Sequence, residues 1–390
     1  MKDEPWGIGT KIAAGILTLV IVITTIMQYV AWRNGGVVAP GTDVGTIRLG
    51  GAFGLSGVCA EWGEGEKKAA QMAVDEINAN GGINGRKIDF MVEDTQCENK
   101  TTVNAVQKLV NADHVLAIVG PTWGDAYQGA SPVINGSMTP AVAPDTAMEA
   151  LELEHQPIDY IFSTYAPQRK EIAALQAYAE KSGLKGIAMV WDQDSYSTMM
   201  AKLFEEAAPA HGIVITDKHE MPTGIQDFRT IIAKLKAAHA EAAFISFLAP
   251  HTKASFLKQA KELGFSGTVF SAADIQDESV LASYKDAMDG VIYTYPVANA
   301  GQKAFKEAYR AKYGEDPQGP AAVNAYDAVR IIAVAMRTGA TGGEALRDAL
   351  MKARIKGAFV DDLGFDAKHQ VGGGAFELKT VRNGTFVPLK

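Results

Sequence analysis

The side chains best suited to metal or covalent chemistry are scattered along this chain. Its seven histidines (114, 155, 211, 219, 239, 251 and 369) form no HxxxH or HExxH pair. The two cysteines, Cys59 and Cys97, are too few for a zinc centre of the usual kind. Neither the P-loop pattern nor a GxSxG elbow occurs, which removes a phosphate cradle of that type and an α/β-hydrolase nucleophile. What remains is glycine. Gly50, Gly51, Gly54 and Gly57 mark the end of a strand that runs into a helix; the helix breaks at Asn80-Gly81-Gly82-Ile83-Asn84-Gly85, and a second strand follows from Lys87 to Asp94. That order is a βαβ unit, whose loops lie at the carboxyl edge of the sheet, where open α/β folds hold their ligands. A dinucleotide-binding oxidoreductase is the enzyme reading of this loop. Its spacing is wrong, because GxGxxG is absent and the acidic pair Glu93 and Asp94 lies about twice too far downstream for a ribose contact.

The elements around that loop alternate. Apolar runs predict strands near Ile47, Ile88, Leu116, Ala141 and Ile161, with helices from Glu61, Asn99, Asp125 and Met148. A second round places strands near Ile187, Ile213, Phe244, Val269 and Val291, with helices from Ser195, Gln226, Thr252 and Asp277. Two rounds imply two doubly wound parallel sheets with helices on both faces. In the first helix Ala70, Ala73, Val74 and Ile77 share a face, and Glu66, Lys67 and Asp75 are expected to point away from it. Helices over Gln302 to Tyr313, Ala321 to Arg337 and Gly343 to Arg354 follow, and the tail from Lys356 changes to short strands with a hairpin signal at Asn383-Gly384.

At 390 residues the chain exceeds what one core usually serves, so two domains are expected. With 47% apolar and 21% charged residues and a net charge of −8, it is an acidic globular protein, and no basic cluster suits a nucleic acid. The first 45 residues stand apart. Ile12 to Trp32 carries no charge, and a helix of that length would span roughly 30 Å, the thickness of a bilayer core. The reading is an uncleaved membrane anchor over residues 12–32, bracketed by Lys11 and Arg33, with the remainder on the periplasmic or extracellular face. A cleaved signal peptide is the alternative, although its best site, Val37-Val38-Ala39, precedes Pro40. In an exported chain Cys59 and Cys97, on two loops of one sheet edge, are expected to form a disulfide; otherwise they are two separate small hydrophobes.

Four segments carry a resemblance: AFGLSGVCAEWG (Ala52 to Gly63), DEINANGGINGRKI (Asp75 to Ile88), VEDTQC from Val92 and AIVGP (Ala117 to Pro121). The chain resembles the leucine/isoleucine/valine-binding proteins, the type I solute-binding proteins of ABC transporters, from about Ile47 to Lys390. That resemblance implies the type I periplasmic binding fold, two doubly wound lobes joined by a three-crossing hinge. The boundaries expected are residues 46–164 plus 297–357 for lobe 1 and 165–296 plus 358–390 for lobe 2. It also implies a non-enzymatic receptor that needs no cofactor, closes like a clamshell on a small polar solute and presents it to an ABC permease. A ligand-sensing ectodomain for a signalling partner is the alternative.

The family's ligand contacts fall here on Trp62, on Trp123-Gly124-Asp125, on Asp145-Thr146-Ala147, and on Tyr196, Ala249 and Ala273. By this resemblance Gly124 replaces a serine that grips the ligand carboxylate, Ala147 its threonine partner, and Ala273 the acid that pairs with the α-ammonium. A buried zwitterion left unpaired there would cost several kcal/mol, which argues against a plain leucine-like ligand. Asp125, Asp145 and Asp274 could instead accept from ammonium, amide or hydroxyl donors, while Trp62, Trp123 and Tyr196 offer aromatic faces. The plainer roles are helix N-capping for the three aspartates and core packing for Trp62.

Overall fold

The computed structural model describes residues 45–297, 299–317 and 321–389. The anchor expected at residues 12–32 lies outside the described residues, and among those described no helix is long and apolar enough to cross a membrane.

Two sheets form, in the order the alternation predicts. The first has five parallel strands, β1 (Ile47–Phe53), β2 (Ile88–Asp94), β3 (Ile118–Val119), β4 (Ala141–Ala143) and β5 (Ile161–Ser163), arranged β2-β1-β3-β4-β5. Its strands are connected by the helices α1 (Ala60–Ala79), α2 (Asn99–Gln107), α3 (Tyr127–Ser137) and α4 (Met148–Leu153). In β3, β4 and β5 every residue is buried, as parallel strands covered by helices on both faces require. The chain then passes into α5 (Gln168–Lys181), a helix the spacing did not predict.

The second sheet holds β6 (Gly186–Asp192), β7 (Val214–Met221), β8 (Ala242–Ser246), β9 (Thr268–Ser271) and β10 (Ile292–Pro296), with the helices α6 (Ser195–Ala207), α7 (Arg229–Ala237), α8 (Pro250–Glu262) and α9 (Glu278–Met288) between them. These five strands are parallel. The sheet is not purely parallel, because β11 (Phe376–Arg382) and β12 (Thr385–Pro388) extend it antiparallel beside β10. Their hairpin turns at Asn383-Gly384, where both residues take positive φ (52° and 68°) as a tight two-residue turn demands.

Between β10 and β11 the chain returns to the first lobe as α10 (Ala300–Tyr313), α11 (Ala321–Arg337) and α12 (Gly343–Lys352). Helices α1 and α11 pack together, both rich in alanine (Ala69, Ala70, Ala73; Ala322, Ala325, Ala328), so their backbones come close. The stripe Ala70, Ala73, Val74 and Ile77 is buried as expected, but Glu66 is not on the outside: it has no exposed surface at all.

Three connections join the lobes. The first runs from Ser163 to Gln168 and the second from Pro296 to Ala300. The third lies later in the tail than expected. Phe359, Val360, Leu363, Phe365 and Val371 belong to the core built by α1 and α11, so residues 358–371 pack in the first lobe, and only from β11 onward is the chain part of the second sheet. The isolated bridges Ile355–Leu363, Phe365–Val371 and Ser163–Gln370 hold this segment in place.

Candidate ligand-binding cleft

The first wall is built at the carboxyl end of β1. Cys59 and Cys97 form a disulfide that ties the loop after β1 to the loop after β2, with their Cα atoms 6.2 Å apart. Gly54 makes room for it, since a Cβ there would collide with both sulfurs. A Cβ on Gly63 would strike the Gly54 carbonyl, so two glycines let α1 start directly against the strand end. Trp62 therefore sits in the first turn of α1, as a helix from Glu61 implies. Its ring meets that of Trp123 edge-on, 5.5 Å between centroids. Trp123 holds a left-handed backbone (φ 66°), uncommon for a residue with a large side chain.

One turn beyond Trp62 stands Glu66. The Thr122 hydroxyl donates to Glu66 Oε2 at 2.5 Å and accepts the Gly54 N–H at 3.1 Å. Glu66 Oε1 has no partner among the described residues. Burial pushes this carboxyl well above its usual range, and the neighbouring Asp145 raises it further. Asp145 is half-buried and makes no hydrogen bond or ion pair with any described residue; burial lifts it to about 7. It does not cap a helix, since Ala147 occupies the N-cap of α4. Asn324 of α11 donates to the Pro144 carbonyl at 3.0 Å and so fixes the loop that carries Asp145. Thr146 is 1% exposed, and its hydroxyl is without a partner. Gly124 sits beside the Thr146 side chain in the helical turn Gly124–Ala126. The Asp125 side chain lies outside the described part of the structure.

The second wall comes from the carboxyl edge of the other sheet. Asp194 caps α6 by accepting the N–H groups of Tyr196 and Ser197, which fixes Tyr196 in the first turn. The Tyr196 hydroxyl donates to Gln168 Oε1 at 3.3 Å. Glu171, on the first turn of α5, accepts the Ala273 N–H at 2.7 Å and the Thr294 hydroxyl at 2.5 Å. Burial raises its carboxyl to about 7 in spite of those two bonds; Asp274 adds to the rise and Lys253 opposes it. Lys253, fully buried on α8, forms an ion pair with Asp274. Asp274 thus pairs with a lysine instead of capping, since Ala272 holds the N-cap position of its turn. Ala273 lies at the start of that turn, and Ala249 is exposed at the N-cap of α8.

Tyr165 stands in the first crossing between the walls. Its phenol is raised well above the usual value by burial, and by Asp145, Glu171, Asp274 and Glu149. Acids of both lobes therefore converge on one aromatic side chain. Beside it Glu149 of α4 accepts the Arg169 N–H (3.1 Å) and a hydrogen bond from Gln370 Nε2 (3.0 Å), tying together the residues that flank the first and third crossings. A cavity of about 500 Å³ opens between the lobes at the rim, lined by Asn99, Gln128 and Glu154 on one side and Gln193, Thr198 and Lys202 on the other. The two tryptophans, Asp145, Thr146, Tyr196 and Asp274, named from the sequence as candidate contacts, lie on these walls. The sequence did not single out Tyr165, Glu66, Glu171 or Lys253, although Glu66 continues the buried stripe of α1 by one turn.

The sequence model of one family, described as periplasmic binding protein, matches residues 46–385. The chain belongs to that family. Among its relatives is the leucine-, isoleucine-, valine-, threonine- and alanine-binding protein of Pseudomonas aeruginosa, 28% identical over 329 residues that cover 83% of this chain and 86% of the relative. A solved structure of the branched-chain amino acid transporter substrate-binding protein of Streptococcus pneumoniae, in complex with isoleucine, is 27% identical with a TM-score of 0.73, covering 87% of this chain and 97% of that one. A solute-binding protein of Rhodopseudomonas palustris, in complex with 3,4-dihydroxybenzoic acid, shares the fold (22% identity, TM-score 0.73, 88% and 96% covered). The resemblance to leucine/isoleucine/valine-binding proteins of ABC transporters is confirmed, and with it the type I periplasmic binding fold of two α/β lobes. Family membership implies a small-molecule ligand and a position outside the cytoplasm.

Proposed function

We propose that this periplasmic binding protein captures a small polar organic solute, of amino-acid, amide or amine type, by hinge closure and presents it unchanged to an ABC permease. The observation that carries this reading is the convergence of Asp145 from the first lobe, Glu171 and Asp274 from the second, and Tyr165 from the hinge. A guest lying there touches both lobes at once, so its binding energy favours the closed form. The contacts proposed are Trp62, Trp123, Asp145, Thr146, Tyr196 and Asp274, with the backbone at Gly124, Ala147, Ala249 and Ala273 lining the cleft. Residues 12–32 form its membrane tether in this reading, supported by 21 consecutive residues without charge.

Thermal-shift screening of amino acids, amides, amines and aromatic acids, followed by calorimetry on each hit, tests the proposal. Trp62→Ala and Tyr196→Ala are expected to weaken binding of every hit while leaving the fold intact. Two variants that bind like the parent would remove the site.

A further inference from the structure

The walls of the cleft are unequal in charge. Four carboxyl groups approach it, Glu66, Asp145, Glu171 and Asp274, against one buried cation, Lys253, which is already committed to Asp274. Glu171 is satisfied by two donors of its own lobe. Glu66 and Asp145 are not: neither has a cationic partner among the described residues, and Glu66 Oε1 has no partner of any kind at zero exposure. The Thr146 hydroxyl, next to Asp145 and 1% exposed, is also unpartnered. A buried acceptor with nothing to accept from costs free energy until a donor arrives. Flanking them, Trp62 and Trp123 present joined aromatic rings, the surface that favours a cation over any other polar group.

From this arrangement, and resting on the solute-binding reading above, we infer that the cleft selects an organic cation whose ammonium or amidinium group is received by Glu66, Asp145 and the Thr146 hydroxyl against the Trp62–Trp123 pair. A primary ammonium has three N–H donors, and the receptor offers Glu66 Oε1, the Asp145 carboxylate and the Thr146 oxygen as acceptors. A free anion would meet two acids there. The ionisation of Asp145 is part of the recognition. The groups that face it are Glu66, Tyr165 and Tyr196, with Tyr127 beside Glu66 and with Glu149, Glu171 and Asp274 gathered around Tyr165. None of these is a cation, so the incoming ligand supplies the charge that draws the proton off Asp145. Burial holds protons on both Glu66 and Asp145, so affinity for the cation rises with pH as those protons are released.

The test uses the purified protein and ligands matched in skeleton: isoamylamine, isocaproamide, isocaproate and leucine, together with putrescine and agmatine, each titrated by calorimetry at pH 6 and pH 8. The expected result is that one or more of the amines binds at least tenfold more tightly than the amide, acid and amino acid. Glu66→Gln and Asp145→Asn should each reduce that affinity at least tenfold, with unchanged far-ultraviolet circular dichroism. Should Glu66→Gln misfold, Asp145→Asn carries the test alone. Tighter binding of leucine, the amide or the acid overturns the inference and leaves solute capture standing, as does an amine affinity that Asp145→Asn does not change. Failure of all six, and of the wider screen, overturns both.

Discussion

Replacing Glu171 by glutamine isolates the effect of one buried ionisation. Glu171 is 1% exposed, and its carboxyl rises from 4.5 to about 7 in the folded chain. At roughly 1.4 kcal/mol per unit, that difference is about 3 kcal/mol. A carboxyl whose folded value is raised stabilises the fold fully below its unfolded value of 4.5, and that contribution is lost as pH climbs through 7. Glutamine keeps an oxygen at Oε1 to accept the Ala273 N–H and the Thr294 hydroxyl, but it cannot ionise. The variant should match the parent near pH 4 and exceed it at pH 8 by up to about 3 kcal/mol. Guanidinium unfolding of ligand-free parent and variant at both pH values measures the difference, and Asp145 cancels because it titrates in both proteins. Parallel pH profiles would refute the claim that Glu171 is ionised at a cost inside the second lobe.

Trp62→Ala and Tyr196→Ala should each weaken solute binding roughly tenfold to a hundredfold, as loss of an aromatic contact does, with melting temperatures close to the parent's; calorimetry and circular dichroism read the two effects separately. Thiol titration of the unreduced, denatured protein should find no reactive thiol, and reduction should cost about 3 to 4 kcal/mol of stability, the value for a loop closed over 38 residues in the chain-entropy account. Asp274→Asn leaves Lys253 buried without its counter-charge and should destabilise by about 3 kcal/mol in denaturant unfolding; an unchanged midpoint would show that the pair contributes nothing.

The alternation of strands and helices was legible because parallel strands covered on both faces read as continuous apolar runs; Ala242–Ser246 is buried at every residue. Helix α5 escaped because its buried face mixes Ile172, Leu175 and Ala179 with Gln168, Glu171 and Gln176, and periodicity counts apolar residues alone. Glu66 was misplaced for the same reason. It continues the stripe of α1 by one turn, yet a carboxylate at a core position reads as surface until its partner is known, and that partner, Thr122, lies 56 residues away. The capping role considered for Asp145 and Asp274 is a local inference that tertiary contacts overrode: the cap positions belong to Ala147 and Ala272, and Asp274 meets Lys253 from another helix. The third crossing was placed too early because residues 355–371 are held in the first lobe by isolated bridges, which leave no periodic signal.

The most direct test is equilibrium dialysis of the purified protein against a solute identified by screening, followed by mass spectrometry of the recovered small molecule. The account predicts one solute bound per chain, held more weakly by the Trp62→Ala and Tyr196→Ala variants, and returned chemically intact. A converted product, or undiminished binding when both aromatic walls are removed, would contradict it.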